Sequence, residues 1–410
     1  MKMAITRNFR TTLTAMLILA SAITLTSTTT AAPAANAIER EKIFTKVPYL
    51  QSPGPDRMTI CWETDRNTPG TLFLGKNGKY ERSIGPITPE RIDVFLGSDR
   101  YLYTARLTDL TPGTQYQYRV QIGTSPSPLY TFKTFDPANP SVSFIMYGDS
   151  RTGHENHTRL ASRFLAHDPA FILHSGDLVS SDSFRNWGKQ YFNPMAPVIP
   201  RVPVLPSIGN HEGSASNYLK YFHLPQPERY YHIESGPVFV LTLDADKTSK
   251  HDDQYAYASR ALANSDAPWK IVLLHEPMFN VGGHRHTWDG KEAYLPLFRK
   301  HKVDIVVAGH SHIYERFHPL VSRDDPSSWA IQHITSGGGG APLHDPAENH
   351  PMLAKTAKEY HFITAAATPN TLTARTINID GQTIDTFTLR KQNGQQNIPL
   401  AKTRYEEETG

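Results

Sequence analysis

The chain has 410 residues, 39% of them apolar, which suits two or three domains with packed cores and excludes a polytopic membrane protein. The formal net charge of +3 is matched by Lys2, Arg7 and Arg10 in the stretch 1–37, which holds no acidic residue. The remainder is therefore neutral overall, which excludes a general polyanion-binding surface, and no nucleic-acid partner is expected.

In chain order, residues 1–37 read as a signal peptide. A basic start is followed by an apolar stretch over 13–25 and a small-residue run that ends in Ala35-Asn36-Ala37. The apolar run is short for a bilayer span, so cleavage is expected rather than anchoring. The expectation is an exported protein, periplasmic or extracellular, with no stable membrane insertion once the signal is removed. Cys61 is the single cysteine, so no intramolecular disulfide is possible, and its place beside Trp62 in a strand-like run makes it a small buried apolar residue.

Residues 45–136 read as all-β. Met58, Ile60 and Trp62 alternate with Thr59, Cys61 and Glu63, and Tyr116, Tyr118 and Val120 alternate with Gln117, Arg119 and Gln121. Turn-rich stretches such as Ser52-Pro53-Gly54-Pro55-Asp56 separate the strands. The segment 107–118 and the early strand residue Trp62 resemble fibronectin type III domains, so a β-sandwich is expected here.

After a linker at 136–140 the pattern changes. Apolar runs of strand length at 142–147, 170–173, 202–205, 238–243, 269–274, 303–308 and 330–334 alternate with helical segments such as 158–166, 254–263 and 291–300. Continuous apolar strands between helices predict a sheet architecture covered on both faces, an α/β domain over 141–390 closed by strands at 360–366, 371–379 and 383–390. The tail 391–410 is polar and is expected to be loose.

The polar residues that stand out do so by position. Gly148-Asp149, Gly176-Asp177 and Gly209-Asn210-His211-Glu212 each follow an apolar strand; His275 ends another; Gly309-His310-Ser311-His312 follows a fifth. Carboxyl ends of strands are where α/β domains build sites. Two carboxylates, one amide oxygen and three imidazoles form a hard-to-borderline ligand set suited to Fe, Zn or Mn, and a carboxylate can bridge two ions roughly 3.5–4 Å apart. Each motif alone is weak; the ordered set is not.

This series resembles the metallophosphoesterases, and among them the purple acid phosphatases, whose motifs run GD-x-G, GD-x-x-Y, GNH-[DE], V-x-x-H and GH-x-H. The sandwich ahead of the catalytic domain and the run Gly337-Gly338-Gly339-Gly340-Ala341-Pro342 match as well. The resemblance implies a metallophosphoesterase-type β-sandwich core flanked by helices. It implies that Asp149 and His312 hold one metal, that Asn210, His275 and His310 hold the other, and that Asp177 bridges them. It puts His211 beside the substrate phosphate. A further family histidine, about ten residues past the one matching His275, has two candidates here, His284 and His286.

Two departures matter. The family's metal-binding Tyr is Ser180 here, and the His that the wider superfamily has two residues after the first Asp is Arg151. The first metal therefore lacks its usual fourth protein ligand, for which water, Ser180, His154 and His157 are candidates, and the tyrosinate–iron colour is not expected. Arg151 has the chemistry to grip substrate phosphate in a bidentate pair.

The expected reaction is hydrolysis of small phosphate monoesters. Metal-bound hydroxide attacks phosphorus directly, and His211, His284 or His286 is the general acid. A phosphodiesterase acting on cyclic nucleotides or phospholipid head groups is the alternative enzyme. A non-catalytic binding protein is a further one, disfavoured because the ligand set is nearly intact. The sequence sets no oligomeric state.

Overall fold

The computed structural model describes residues 43–93, 99–245, 251–347, 349–398 and 402–405. The expected signal peptide lies outside the described residues.

The alternation over 58–64 and 115–122 builds two antiparallel sheets that share one core. The first has the order Phe44–Gln51, Met58–Thr64, Arg100–Leu107, Glu90–Ile92. The second sets Gly70–Lys76 between Lys79–Ile87 and Gln115–Ile122, and Gln115–Ile122 also pairs with Tyr130–Lys133. Between them Trp62 stacks on Tyr103 with ring centroids 5.0 Å apart, among Ile60, Leu72 and Val120. The Tyr116 hydroxyl accepts a hydrogen bond from the Thr111 N–H at 2.9 Å and pins the preceding corner.

Strand Met58–Thr64 is buried on both faces, which its alternating pattern alone does not predict. The second face packs on the following domain, so Cys61, Tyr49 and Leu102 belong to that domain's core. Burial pushes the Cys61 thiol up to about 12, consistent with an inert core residue. Glu63, also on this face, is ion-paired to Lys46 at 2.6 Å and accepts from the Tyr221 hydroxyl at 3.0 Å. Backbone and side-chain bonds from Leu50 to Ile199 and from Tyr118 to Pro200 continue the seam.

The second domain is two seven-stranded mixed sheets with helices outside. One runs Val204–Pro206, Phe171–His174, Val142–Tyr147, His361–Thr368, Thr371–Asn378, Thr383–Gln392, Gln395–Gln396. The other runs Tyr231–Ser235, Val238–Thr242, Trp269–Leu273, Ile305–Ala308, Gln332–Ser336, Tyr314–Phe317, Leu353–Ala357. Continuous apolar strands are explained by burial on two sides. Val240, Ile271 and Val307 face the first sheet's core, while Phe239, Val272 and Val306 meet helices His251–Ala263 and Lys291–Lys300. Helix His154–Phe164 covers the outer face of the first sheet through Leu160, Ala161 and Phe164. Among the described residues no helix is long and apolar enough to cross a membrane.

The tail differs from expectation. Lys391 reaches the buried Asp304 carboxylate at 2.8 Å, Gln396 donates to the Ala330 carbonyl at 2.8 Å, and Arg404–Tyr405 pairs in parallel with Leu320–Val321. A polar composition concealed this, because the partners of these side chains are buried carboxylate and backbone groups far away in sequence.

Candidate metal centre

Strands Val142–Tyr147, Phe171–His174 and Val204–Pro206 run parallel, and so do Trp269–Leu273 and Ile305–Ala308. The residues just past these strands therefore meet at one end of the sandwich. Asp149, Asp177 and His310 adopt left-handed backbone with φ of 57°, 56° and 67°, so the chain turns back at once and aims each side chain across the strand ends. Asp149 accepts from the His310 N–H at 3.0 Å, which ties the two sheets together. Glycine is required where the carboxylates tuck in: a Cβ at Gly209 would collide with the Asp177 carboxylate, and one at Gly309 with that of Asp149.

The sequence-picked donors fall into two positions. In the second, His275 Nε2 lies 3.0 Å from Asn210 Oδ1 and 3.4 Å from Asp177 Oδ1. His310 Nδ1 lies 3.1 Å from Asn210 Oδ1 and 3.3 Å from His275 Nε2. Donors about 2.1 Å from one ion stand about 3.0–3.4 Å apart, so these spacings suit a shared cation. The His275 Nδ1–H donates to the Ser175 carbonyl at 2.8 Å, which fixes the ring and turns Nε2 toward the oxygens of Asn210 and Asp177. Burial pushes the His310 imidazole down to about 2, keeping it neutral. Nitrogen and oxygen donors gathered this closely suit a cation between them, so the residues here fit a metal ion.

The first position joins Asp149, Asp177 and His312, whose donor atoms all lie within 4.8 Å of one another. His312 donates its Nδ1–H to the Pro342 carbonyl at 2.7 Å, so the glycine-rich run fixes this ring and leaves a lone pair on Nε2. Arg151 sits in the same place: its Nε donates to Asp177 Oδ2 at 3.0 Å and its Nη2 to His312 Nε2 at 3.3 Å. Burial and the neighbouring Asp177 push Asp149 well above the usual carboxylate range. Burial also raises Asp177, but His275, His211 and Arg151 outweigh it and hold that carboxyl below its ordinary value.

The candidates for a replacement ligand are engaged elsewhere. The buried His157 bonds the Tyr147 hydroxyl and the Gln190 carbonyl, each at 2.9 Å. His154 faces the Thr152 carbonyl at 3.3 Å. Ser180 Oγ accepts from Gln190 at 2.9 Å and from Asn186 at 3.2 Å.

His211, His284 and His286 line the open side. His211 donates its Nδ1–H to the Ser180 carbonyl at 3.0 Å, which turns Nε2 toward Asp177 Oδ2 at 3.9 Å. The exposed His284 ring lies 5.0 Å from that of His310 and 5.9 Å from that of His312. His286 lies 5.4 Å from His310 but is paired with Glu276 at 3.3 Å.

Two residues of the site went unassigned in the sequence. Glu212 accepts from the N–H groups of Gly209, Asp177 and Val179 at 2.7, 2.9 and 3.2 Å, joining two ligand loops. Its place within the Gly209–Glu212 motif was the available signal. His344 stacks on His312 at 4.1 Å and meets His284 edge-on at 4.2 Å. Its only trace in sequence was its place two residues past Pro342.

Both domains match known protein families. Residues 144–314 match the family model of calcineurin-like phosphoesterases, and residues 47–134 match that of the purple acid phosphatase N-terminal domain. An uncharacterized protein of Mycobacterium tuberculosis is 28% identical over 305 residues, covering 58% of this chain and 57% of the relative. The chain thus spans a little over half the length of that relative. Probable purple acid phosphatase 20 of Arabidopsis thaliana is 25% identical over 326 residues, 74% of this chain and 75% of the relative. The structure of a purple acid phosphatase from yellow lupin (Lupinus luteus) seeds superposes with a TM-score of 0.73 at 19% identity, covering 85% of this chain and 75% of that one, a likeness of fold. The chain thus carries a calcineurin-like phosphoesterase domain at 144–314, preceded at 47–134 by a purple acid phosphatase N-terminal domain.

Proposed function

We propose that the chain is an exported, metal-dependent phosphatase that hydrolyses small phosphate monoesters. The observation that carries this is the convergence of Asp177, Asn210, His275 and His310 on one point beside an open face lined by Arg151, His211 and His284. When bound there, an ion of the Fe, Zn or Mn type supplies an acidified water and neutralises phosphoryl charge.

The chain's own residues do the rest. Arg151 and His211 flank Asp177 and are placed to meet phosphoryl oxygens. A monoester presents three free oxygens to these donors and a diester only two, which supports the monoester reading. Water attacks phosphorus in line with the leaving oxygen and releases a proton to solvent; the new P–O bond forms as the ester P–O bond breaks, and a histidine at the mouth protonates the departing alkoxide. The phosphoryl group passes directly to water. The N-terminal domain, with its resemblance to fibronectin type III, acts as a buttress for the 191–223 region. No nucleic acid is a partner, and the signal at 1–37 directs export.

The test is a panel of monoester and diester substrates assayed on metal-loaded protein. Monoester turnover well above diester turnover is the expected result; the reverse overturns the substrate class. Recovery of a covalent phospho-enzyme would overturn direct transfer. A mature protein retaining residues 1–37 would overturn the export reading.

A further inference from the structure

Arg151 has no counterpart in the family's ligand series, yet its guanidinium lies inside the first position. It hydrogen-bonds two of the three donors there, Asp177 Oδ2 at 3.0 Å and His312 Nε2 at 3.3 Å, with its side chain only 16% exposed. Because the Nδ1–H of His312 goes to Pro342, the Nε2 lone pair is the one a metal would take, and an arginine N–H takes it. A metal needs those same two atoms at about 2.1 Å, in space the guanidinium fills. No replacement oxygen is offered, since Ser180 Oγ is held by Gln190 and Asn186.

Charge points the same way. Asp149 and Asp177 are both buried, and two neighbouring buried carboxylates need compensating positive charge. An arginine is protonated at every working pH and supplies that charge with no metal present.

We propose that Arg151 is the resident cation of the first position, so that the chain holds one metal ion, at Asp177, Asn210, His275 and His310. This rests on the metal-dependent reading above and replaces the two-ion arrangement that the family resemblance implies. Asp177 would then hold the metal beside His275 on its Oδ1 side, while its Oδ2 accepts from the guanidinium. Two of the five guanidinium N–H groups are used by Asp177 and His312, and the others are available to a phosphoryl group.

The test loads purified full-length protein with Mn(II), removes loose metal, counts ions per chain by elemental analysis, and records the electron paramagnetic resonance spectrum. Wild type is expected to hold one ion with the signal of isolated Mn(II). His310→Ala should lose it and His312→Ala should keep it. Arg151→Gly should take up a second ion and show an exchange-coupled signal. Two ions in wild type would overturn the proposal without reference to any variant. So would a single ion lost in His312→Ala and kept in His310→Ala, or an Arg151→Gly protein that still holds only one. Wild type with no ion would sink the metal-dependent reading itself, an outcome distinct from two ions.

Discussion

The Glu212 carboxylate accepts the backbone N–H of Asp177 at 2.9 Å while also holding the N–H groups of Gly209 and Val179. It therefore fixes both the loop that carries Asp177 and the one that carries Asn210, without facing the substrate. Glu212→Gln puts an amide N–H against a backbone N–H and loosens both loops. Metal affinity should fall about 10- to 100-fold. Titration calorimetry checks this; unchanged affinity would show that the loops hold themselves.

Asn210→Ala and Asp177→Ala each remove an oxygen from the second position. Activity should be lost and metal content should fall, measured on the same preparations. Full activity in either variant is incompatible with a metal held by these residues.

Among the three mouth histidines, His284 lies over both His310 and His312, whereas His286 is paired with Glu276 and His211 is tied to Ser180. His284→Ala should therefore slow esters with poor alkoxide leaving groups by about 100-fold or more, and aryl esters with good leaving groups far less. An equal loss for both substrate types would remove His284 as the proton donor.

His333 lies fully buried, with no hydrogen-bond partner for either ring nitrogen among the described residues, and packs edge-on against Phe279. Burial, with help from Arg299 and Lys291, pushes its pKa from 6.5 down to about 3. A depressed histidine contributes stability that is present above the unfolded value of 6.5 and is lost as pH falls toward 3. His333→Leu should remove about 3 kcal/mol of the stability lost between about pH 7 and pH 4. Urea unfolding of both proteins at the two pH values measures the difference, and equal acid losses would contradict the assignment.

Lys46 and Glu63 form an ion pair with side chains 4% and 1% exposed at the seam between domains. Lys46→Met leaves the buried Glu63 carboxylate with only the more distant Arg100 as a cation, at 3.9 Å, and should destabilise the protein by about 3 kcal/mol. The double variant Lys46→Met/Glu63→Leu should recover most of that. Equal stabilities of the wild type and Lys46→Met in urea would mean the pair carries no such role.

Much of the site was legible in sequence because its residues directly follow apolar strands, and Val142–Tyr147 and helix Lys291–Lys300 appear with the limits the pattern sets. The buried second face of strand Met58–Thr64 was only partly legible, since Thr59 and Glu63 read as a solvent side until the following domain covers it, with Tyr221 reaching Glu63 from 158 residues further along the chain. The anchored tail escaped for the same reason.

The sequence by itself determined that Asp149, Asp177, Asn210, His275, His310 and His312 sit at strand ends, because parallel strands bring their carboxyl ends to one side. It also showed Arg151 and Ser180 at the two positions where the resemblance would put a fourth ligand of the first position. What stands in that position depended on side-chain geometry. The reach of Arg151 to Asp177 and His312, the tautomer that Pro342 imposes on His312 and the capture of Ser180 by Gln190 are contacts between residues far apart in the chain. Strand-end placement is local and periodic, whereas the occupant of a cavity is set by whichever side chains the packed sheets aim into it.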